Sequence, residues 1–169
     1  TYNKLILTKG FDYKFTPYTT HTFLDDIIAN GDCKQEIGMA ASYSYAIFIG
    51  NSGTIDVFGV NLEHIHAQGG IFNAHSSKDL GDNPGWNIAI AAPRTLYWVG
   101  GSGIYQDTTH WSLQSGGLGG ECIPTLKDIV IFDNYSGPSG FAVEIKSNTK
   151  PAECHDMLWN NQQTASLYS

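Results

Sequence analysis

The chain has 169 residues, of which 15% are charged and 41% are hydrophobic, and its formal net charge at pH 7 is -7. This balance argues against nucleic-acid binding, because phosphate contacts need clustered Lys and Arg and the nine present here are scattered. There is no run of about 18 apolar residues, so no membrane span is predicted. The 19 glycines and the low charged fraction favour a β-protein with many turns.

The first half of the chain contains short apolar or alternating segments separated by turn residues. Gly10, Pro17, Gly31 and Gly69 lie between them. These segments predict strands over residues 5–8, 13–16, 21–24, 46–49, 54–58, 60–62 and 71–73. Residues 24–31 could alternatively form a short helix that ends at Gly31.

An internal similarity favours a strand over that helix. Residues 24–31 read LDDIIANG and residues 62–69 read LEHIHAQG, with Leu, an acid, Ile, Ala and Gly in common. The offset is close to two coils of a solenoid with about 20 residues per coil. The sequence therefore predicts an all-β, parallel β-helix or solenoid-like fold with equivalent corners on alternate coils; a β-sandwich is the alternative.

The chain is predicted to divide near Pro93, because proline cannot donate a hydrogen bond to a sheet and residues 87–90 resemble a final strand. Residues 1–92 would form the last coils and closing segment of one β-helical unit. Residues 93–169 would form the opening module of the next, with strands at 129–132, 141–145 and 157–159.

The second half carries the most specific motif. Residues 97–112 read YWVGGSGIYQDTTHWS, and Pro124-Thr125 and the strand-like run 128–133 follow a glycine-rich stretch. This pattern resembles the module that opens β-helical repeats in very large adhesins on the surface of gliding bacteria. The family pattern has Trp where this chain has Tyr105.

The first half resembles the closing end of the same kind of repeat, on residues 29–33, 65–74 and 79–86. The resemblance implies a segment of a long extracellular, cell-surface adhesin or fibre, exported by a type IX-like route. Its role would be structural and adhesive, and its partners would be neighbouring repeats of the parent chain. It implies no catalytic residues.

Tryptophans and cysteines are predicted to stabilise the two halves. Trp86, Trp98 and Trp111 should be buried, because the glycine-rich loops around them contain no other apolar mass. A Cys122–Cys154 disulfide is expected, since both residues belong to the second motif and the loop of about 30 residues would contribute roughly 3 kcal/mol. Cys33 would be left to pair outside this segment or to remain a buried thiol.

Several side-chain clusters contain residue types that bind metal ions. Asp79, Asp82 and Asn83 surround a glycine and could bind Ca²⁺, although Asx turns explain the cluster as well. His64 and His66 have a spacing seen in zinc sites, and the preferred interpretation is a solvated face. Cys122, Cys154, His110 and His155 lack the C-x-x-C pattern of a zinc knuckle. No cofactor is therefore expected.

An enzyme is not predicted. Parallel β-helices that act on polysaccharides need paired carboxylates, or carboxylates beside a basic residue, and Arg94 is the only arginine. The available acids are Asp25, Asp26, Asp56, Glu63 and Asp79. Carbohydrate binding is the alternative function, through tyrosines that could stack on sugar rings: Tyr13, Tyr18, Tyr43, Tyr45 and Tyr135.

Both ends of the chain fall in strand-like sequence. Unpaired strand edges at those ends would promote association, so a homo-oligomer or a longer fibre is expected. The absence of a leader before residues 4–8 likewise suggests an internal piece of a longer protein.

Overall fold

A computed structural model describes residues 1–146, 151–160 and 165–169. It divides into two compact units, Thr1–Ala91 and Ala92–Ser169, so the boundary lies one residue from the position predicted from Pro93. In the described residues the only helical element is a three-residue 3-10 turn at Thr108–His110. No described helix has the length and apolar character needed to cross a bilayer.

The first unit contains twelve strands: β1 Leu5–Leu7, β2 Asp12–Phe15, β3 Thr20–Phe23, β4 Ile27–Ala29, β5 Ile37–Ala41, β6 Ala46–Gly50, β7 Thr54–Phe58, β8 Val60–Glu63, β9 Ile65–Gln68, β10 Ile71–His75, β11 Lys78–Asp79 and β12 Trp86–Ala89. The pairings between these strands are all parallel. Consecutive strands belong to different sheets, and the same three sheets recur in order from β1 to β11. This is the topology of a parallel β-solenoid, and it confirms the predicted fold class.

Three sheets form the faces of this solenoid. Sheet I contains β1 and β4 and continues into β7, β10 and β12 through a bridge between Asn30 and Phe58. Sheet II contains β2, β5, β8 and β11, and sheet III contains β3, β6 and β9. Alternation along each strand directs one set of side chains inward, where Phe23, Phe48 and Phe72 are fully buried.

The interpretation of the internal similarity as equivalent corners was wrong. Residues 24–31 contribute β4 of sheet I, whereas residues 62–69 contribute β8 of sheet II and β9 of sheet III, so the similarity between them does not mark equivalent corners. The coils differ too much in length for a fixed offset: Asp12 pairs with Gly38, 26 residues later, whereas Asn61 pairs with Lys78, 17 residues later. Residues 24–31 form no helix and contain β4, as the preferred strand interpretation predicted.

The described residues of the second unit form seven strands in two sheets: β13 Thr95–Trp98, β14 Gly103–Ile104, β15 Trp111–Ser112, β16 Ile129–Phe132, β17 Phe141–Glu144, β18 Asp156–Trp159 and β19 Ala165–Tyr168. Sheet IV has the order β15-β13-β16-β18 and sheet V the order β14-β17-β19. The pairings among these seven strands are parallel except that between β13 and β15. Residues 129–132 match their prediction, and β13 was not predicted.

The aromatic motif forms the core of the second unit. Trp98 and Trp111 are fully buried and meet edge to face, with ring centroids 5.1 Å apart. Trp98 Nε1 donates to the Gly101 carbonyl at 2.7 Å, and Trp111 Nε1 donates to the Tyr105 carbonyl at 2.8 Å. Tyr105 is buried against Trp111. With Trp86 also buried in the first unit, the predicted burial of all three tryptophans is confirmed.

A buried ion pair fixes the start of the second unit. The Asp128 carboxylate is almost fully buried and accepts hydrogen bonds from Arg94 Nη2 at 2.7 Å and from Thr125 N at 2.8 Å. Burial raises the pKa of Asp128, but the hydrogen bonds from Arg94 and Thr125 outweigh it and lower the pKa overall. The sequence motif contained Thr125 and Asp128, but nothing in it pointed to Arg94 as their partner.

The predicted Cys122–Cys154 disulfide is wrong. Cys154 is a free thiol, and burial raises its pKa. It packs against the core of the second unit beside the Tyr105 hydroxyl. Cys33, which the sequence left without a partner, is disulfide-bonded, as is Cys122. A disulfide requires Cβ atoms that lie close together in space. Membership of the same sequence motif does not ensure this, so it was a poor guide to the pairing.

We expect Trp111→Ala to lower the free energy of unfolding of the second unit by about 3 to 5 kcal/mol, because the indole is fully buried and its removal leaves a cavity. Leu118→Ala is the control, since Leu118 is 95% exposed and surface substitutions usually change stability by less than about 0.5 kcal/mol. Urea unfolding of the whole chain, followed by circular dichroism, measures both. Equal unfolding curves for the two variants would contradict the buried-core assignment.

Candidate functional site

The first unit exposes a row of aromatic and charged side chains at the corner that precedes sheet III and at the start of β9. We call this row the corner strip; it comprises Tyr18, Tyr45, His64, His66 and Asp82. Successive coils supply its members: Tyr18, Tyr45 and His64 lie just before β3, β6 and β9, His66 lies within β9, and Asp82 follows β11. Backbone hydrogen bonds hold the corners in register: Tyr18 N donates to the Tyr45 carbonyl at 2.8 Å, and His64 N donates to the Gly81 carbonyl at 3.0 Å.

The rings of the corner strip contact one another from coil to coil. Tyr45 stacks on His66 with ring centroids 4.1 Å apart and an interplanar angle of 13°. Tyr18 meets Tyr45 edge to face at 6.0 Å, and its side chain is 70% exposed. The corner strip therefore has aromatic surface that faces solvent and does not pack against the core of the solenoid.

A carboxylate holds the other end of the corner strip. Asp82 Oδ2 lies 3.0 Å from His64 Nδ1, and Asp82 Oδ1 lies 2.9 Å from His66 Nε2. A carboxylate only accepts hydrogen bonds, so both imidazole nitrogens are donors. These bonds lower the pKa of Asp82. His64 and His66 therefore share one hydrogen-bond partner, the Asp82 carboxylate.

Three members of the corner strip have a left-handed backbone. The φ angles are +61° at Tyr18, +57° at His64 and +55° at Asp82. A side chain with a Cβ is disfavoured there by roughly 1 to 2 kcal/mol, and glycine or asparagine is the usual choice. A bulky, exposed tyrosine at such a position does not serve the core, and residues in sparsely populated conformations cluster at functional sites.

The acidic turn considered for calcium has a structural explanation. Asp79 Oδ1 accepts a hydrogen bond from Gly81 N at 2.9 Å, which is an Asx turn. Asn83 is buried; its Oδ1 accepts from Ile65 N at 2.9 Å and its Nδ2 donates to the Leu62 carbonyl at 2.8 Å. The amide thereby continues the pairing of β9 where sheet III ends. Since Asp82 bonds both histidines, internal hydrogen bonds occupy oxygens on all three side chains.

The other predicted residues are dispersed. Within residues 1–146, 151–160 and 165–169, no three His, Cys, Asp or Glu side chains are grouped to hold a metal ion. His110 stacks on Trp98 and His155 pairs with Asp156. Asp25 pairs with Lys4 and Asp56 with His75, and the Asp26 carboxylate accepts from Ile27 N. The Tyr13 hydroxyl bonds to Thr8, while the Tyr43 and Tyr135 side chains are exposed.

Comparison with known proteins provides no relative: the chain matches no protein-family model, no curated protein and no solved structure.

We expect the first unit to lose stability in acid partly through Asp82. A carboxyl whose pKa is lowered by folding contributes stability above its unfolded value, near 3.9, and loses that contribution as the pH falls through the folded pKa. Wild type should therefore be more stable than Asp82→Asn at pH 6, with a difference that shrinks towards pH 2. Chemical unfolding across this range measures it.

Asp12→Asn is the control for that measurement, because the Asp12 carboxylate has no hydrogen-bond partner in the described part of the chain. A wild-type advantage over Asp82→Asn that does not change with pH would show that the histidine pairing does not stabilise the fold.

Proposed function

We propose that this chain is a structural and adhesive segment of an extracellular surface protein, and that the corner strip of the first unit binds surface glycans. The observation that carries the proposal is the contact of Tyr18, Tyr45 and His66 across three successive coils. A parallel solenoid suits a structural role, because each coil packs only on its neighbours and the array can be extended along its axis.

The chemistry of the corner strip favours a carbohydrate ligand. An aromatic ring offers an apolar face to the C–H groups of a sugar, while its hydroxyl remains hydrated. The Asp82 carboxylate and the histidines beside it supply acceptors and donors for sugar hydroxyls. Because the strip crosses several coils, it matches an extended glycan better than a compact ligand.

Two further observations support an extracellular setting. Cys33 and Cys122 are disulfide-bonded, which is typical of proteins in oxidising compartments. Residues 97–133 also resemble the opening module of bacterial surface adhesins. We propose, as this resemblance implies, that the protein is exported by a type IX-like route.

We expect the whole chain to bind one or more members of a glycan array, and Tyr18→Asn to weaken that binding about tenfold. A lost stacking contact of about 1 kcal/mol, together with lost buried area, corresponds to a change of this size. Asparagine tolerates the left-handed backbone of position 18, so the substitution removes the ring without straining the corner. Fluorescence or calorimetric titration with the best glycan gives the affinity.

Tyr43→Asn is the matched control, since Tyr43 is equally exposed but lies outside the strip. It should bind as wild type does. The proposal is refuted if no glycan binds or if the two variants weaken binding equally. Release of shortened sugars from the bound glycan would instead support the alternative of a polysaccharide-acting enzyme.

A further inference from the structure

Sheet II carries a second surface feature, a trough on its outer face with a volume of about 260 Å³. Its floor is β5, whose outward residues Gly38 and Ala40 have the smallest side chains. The register places Asp12 and Asn61 on either side of Gly38, and Lys14 and Glu63 on either side of Ala40. The walls are therefore two strand spacings apart, about 10 Å, which admits a single sugar ring.

The charged groups of the trough are available to a ligand. In the described part of the chain, the side chains of Asp12, Lys14 and Glu63 make no hydrogen bond or ion pair. The wall behind them is held in place, because Glu36 accepts from Asn61 Nδ2 at 2.9 Å and from Lys78 Nζ at 2.7 Å. Hydrogen bonds therefore hold the wall of the trough in place, while the charged groups of Asp12, Lys14 and Glu63 make no such bond in the described part of the chain.

Gly38 lets the Asp12 carboxylate lie over the floor. A Cβ at position 38 would collide with Asp12 Oδ1, so any other residue would displace this carboxylate from the trough. Glycine at position 38 therefore allows the Asp12 carboxylate to lie over the floor of the trough.

We propose that this trough binds a sugar ring that carries a free, protonated amine. Of the residues that line the trough, Asp12 and Glu63 are negative and Lys14 is positive, so the lining has one excess negative charge. An ammonium group satisfies this excess at a carboxylate, and ring hydroxyls donate to the other carboxylate and accept from Lys14. The trough lies on a different sheet from the corner strip, so either site can fail without the other.

The test is a titration of the whole chain with a glucosamine trimer, compared with an N-acetylglucosamine trimer that has the same rings without the charge. We expect the glucosamine trimer to bind at least tenfold more tightly and to shift the amide signals of Gly38, Ala40 and Asn61. Trilysine is the control for attraction to the acidic protein, and it should leave these signals unchanged. Equal binding of the two sugars, or equal shifts with trilysine, would overturn the proposal.

Ala40→Val tests the trough itself, because it raises the floor without removing a polar group and valine favours strands. It should abolish the binding, whereas Ala142→Val, at an outward, half-buried alanine of β17, should not change it. Glu63→Gln provides a second variant that keeps the shape and should weaken binding about tenfold. Wild-type affinity in folded Ala40→Val or in Glu63→Gln would show that the trough is not the site.

Discussion

The first unit depends on the stacking of inward-facing apolar side chains between neighbouring coils. No coil has a core of its own: Ile27 and Ala29 on β4 contribute to one cluster with Ile55 and Val57 on β7 and with Phe72 and Ala74 on β10. Parallel pairing in register is what brings these side chains together, since a shift by one residue would turn every inward side chain to solvent. The same parallel register therefore provides both the burial of apolar side chains and the pairing of the backbone, and a change of register would disrupt both.

This constraint also creates the surface features. When each coil turns at the same place, residues at a corner align from coil to coil, and the corner strip is the row that results. The left-handed backbones at Tyr18, His64 and Asp82 belong to these turns. Likewise, side chains on the outer face of a sheet form continuous rows, and the trough is the place where one strand contributes only Gly38 and Ala40 between longer neighbours.

Local sequence patterns predicted much of the fold. The alternation at 54–58 and the apolar run at 129–132 correspond to β7 and β16, because β-branched and aromatic residues at period two specify a half-buried strand. β5 was not predicted, since Gly-Met-Ala-Ala has little strand propensity and becomes a strand only through pairing on both sides. Because coil lengths vary, the similarity between residues 24–31 and 62–69 could not give the register of the strands.

The candidate sites were harder to predict for the same reason. Tyr18 and Tyr45 were singled out as exposed rings and Glu63 as an available acid, but their neighbours depend on which coil lies next to which. The link between Asp82, His64 and His66 joins residues that sequence reasoning treated as two separate metal candidates. Left-handed backbones at non-glycine residues leave no clear mark in a sequence, so the corner geometry was not predictable.

The central claim is that neighbouring coils pair in parallel, and nuclear Overhauser effects between β5 and β8 test it most directly. Backbone contacts should connect 37 with 60, 38 with 61, 39 with 62 and 40 with 63, so that both numbers rise together. Contacts in which one number rises as the other falls would indicate antiparallel strands, as in a β-sandwich, and would contradict the solenoid and both of the sites that depend on it.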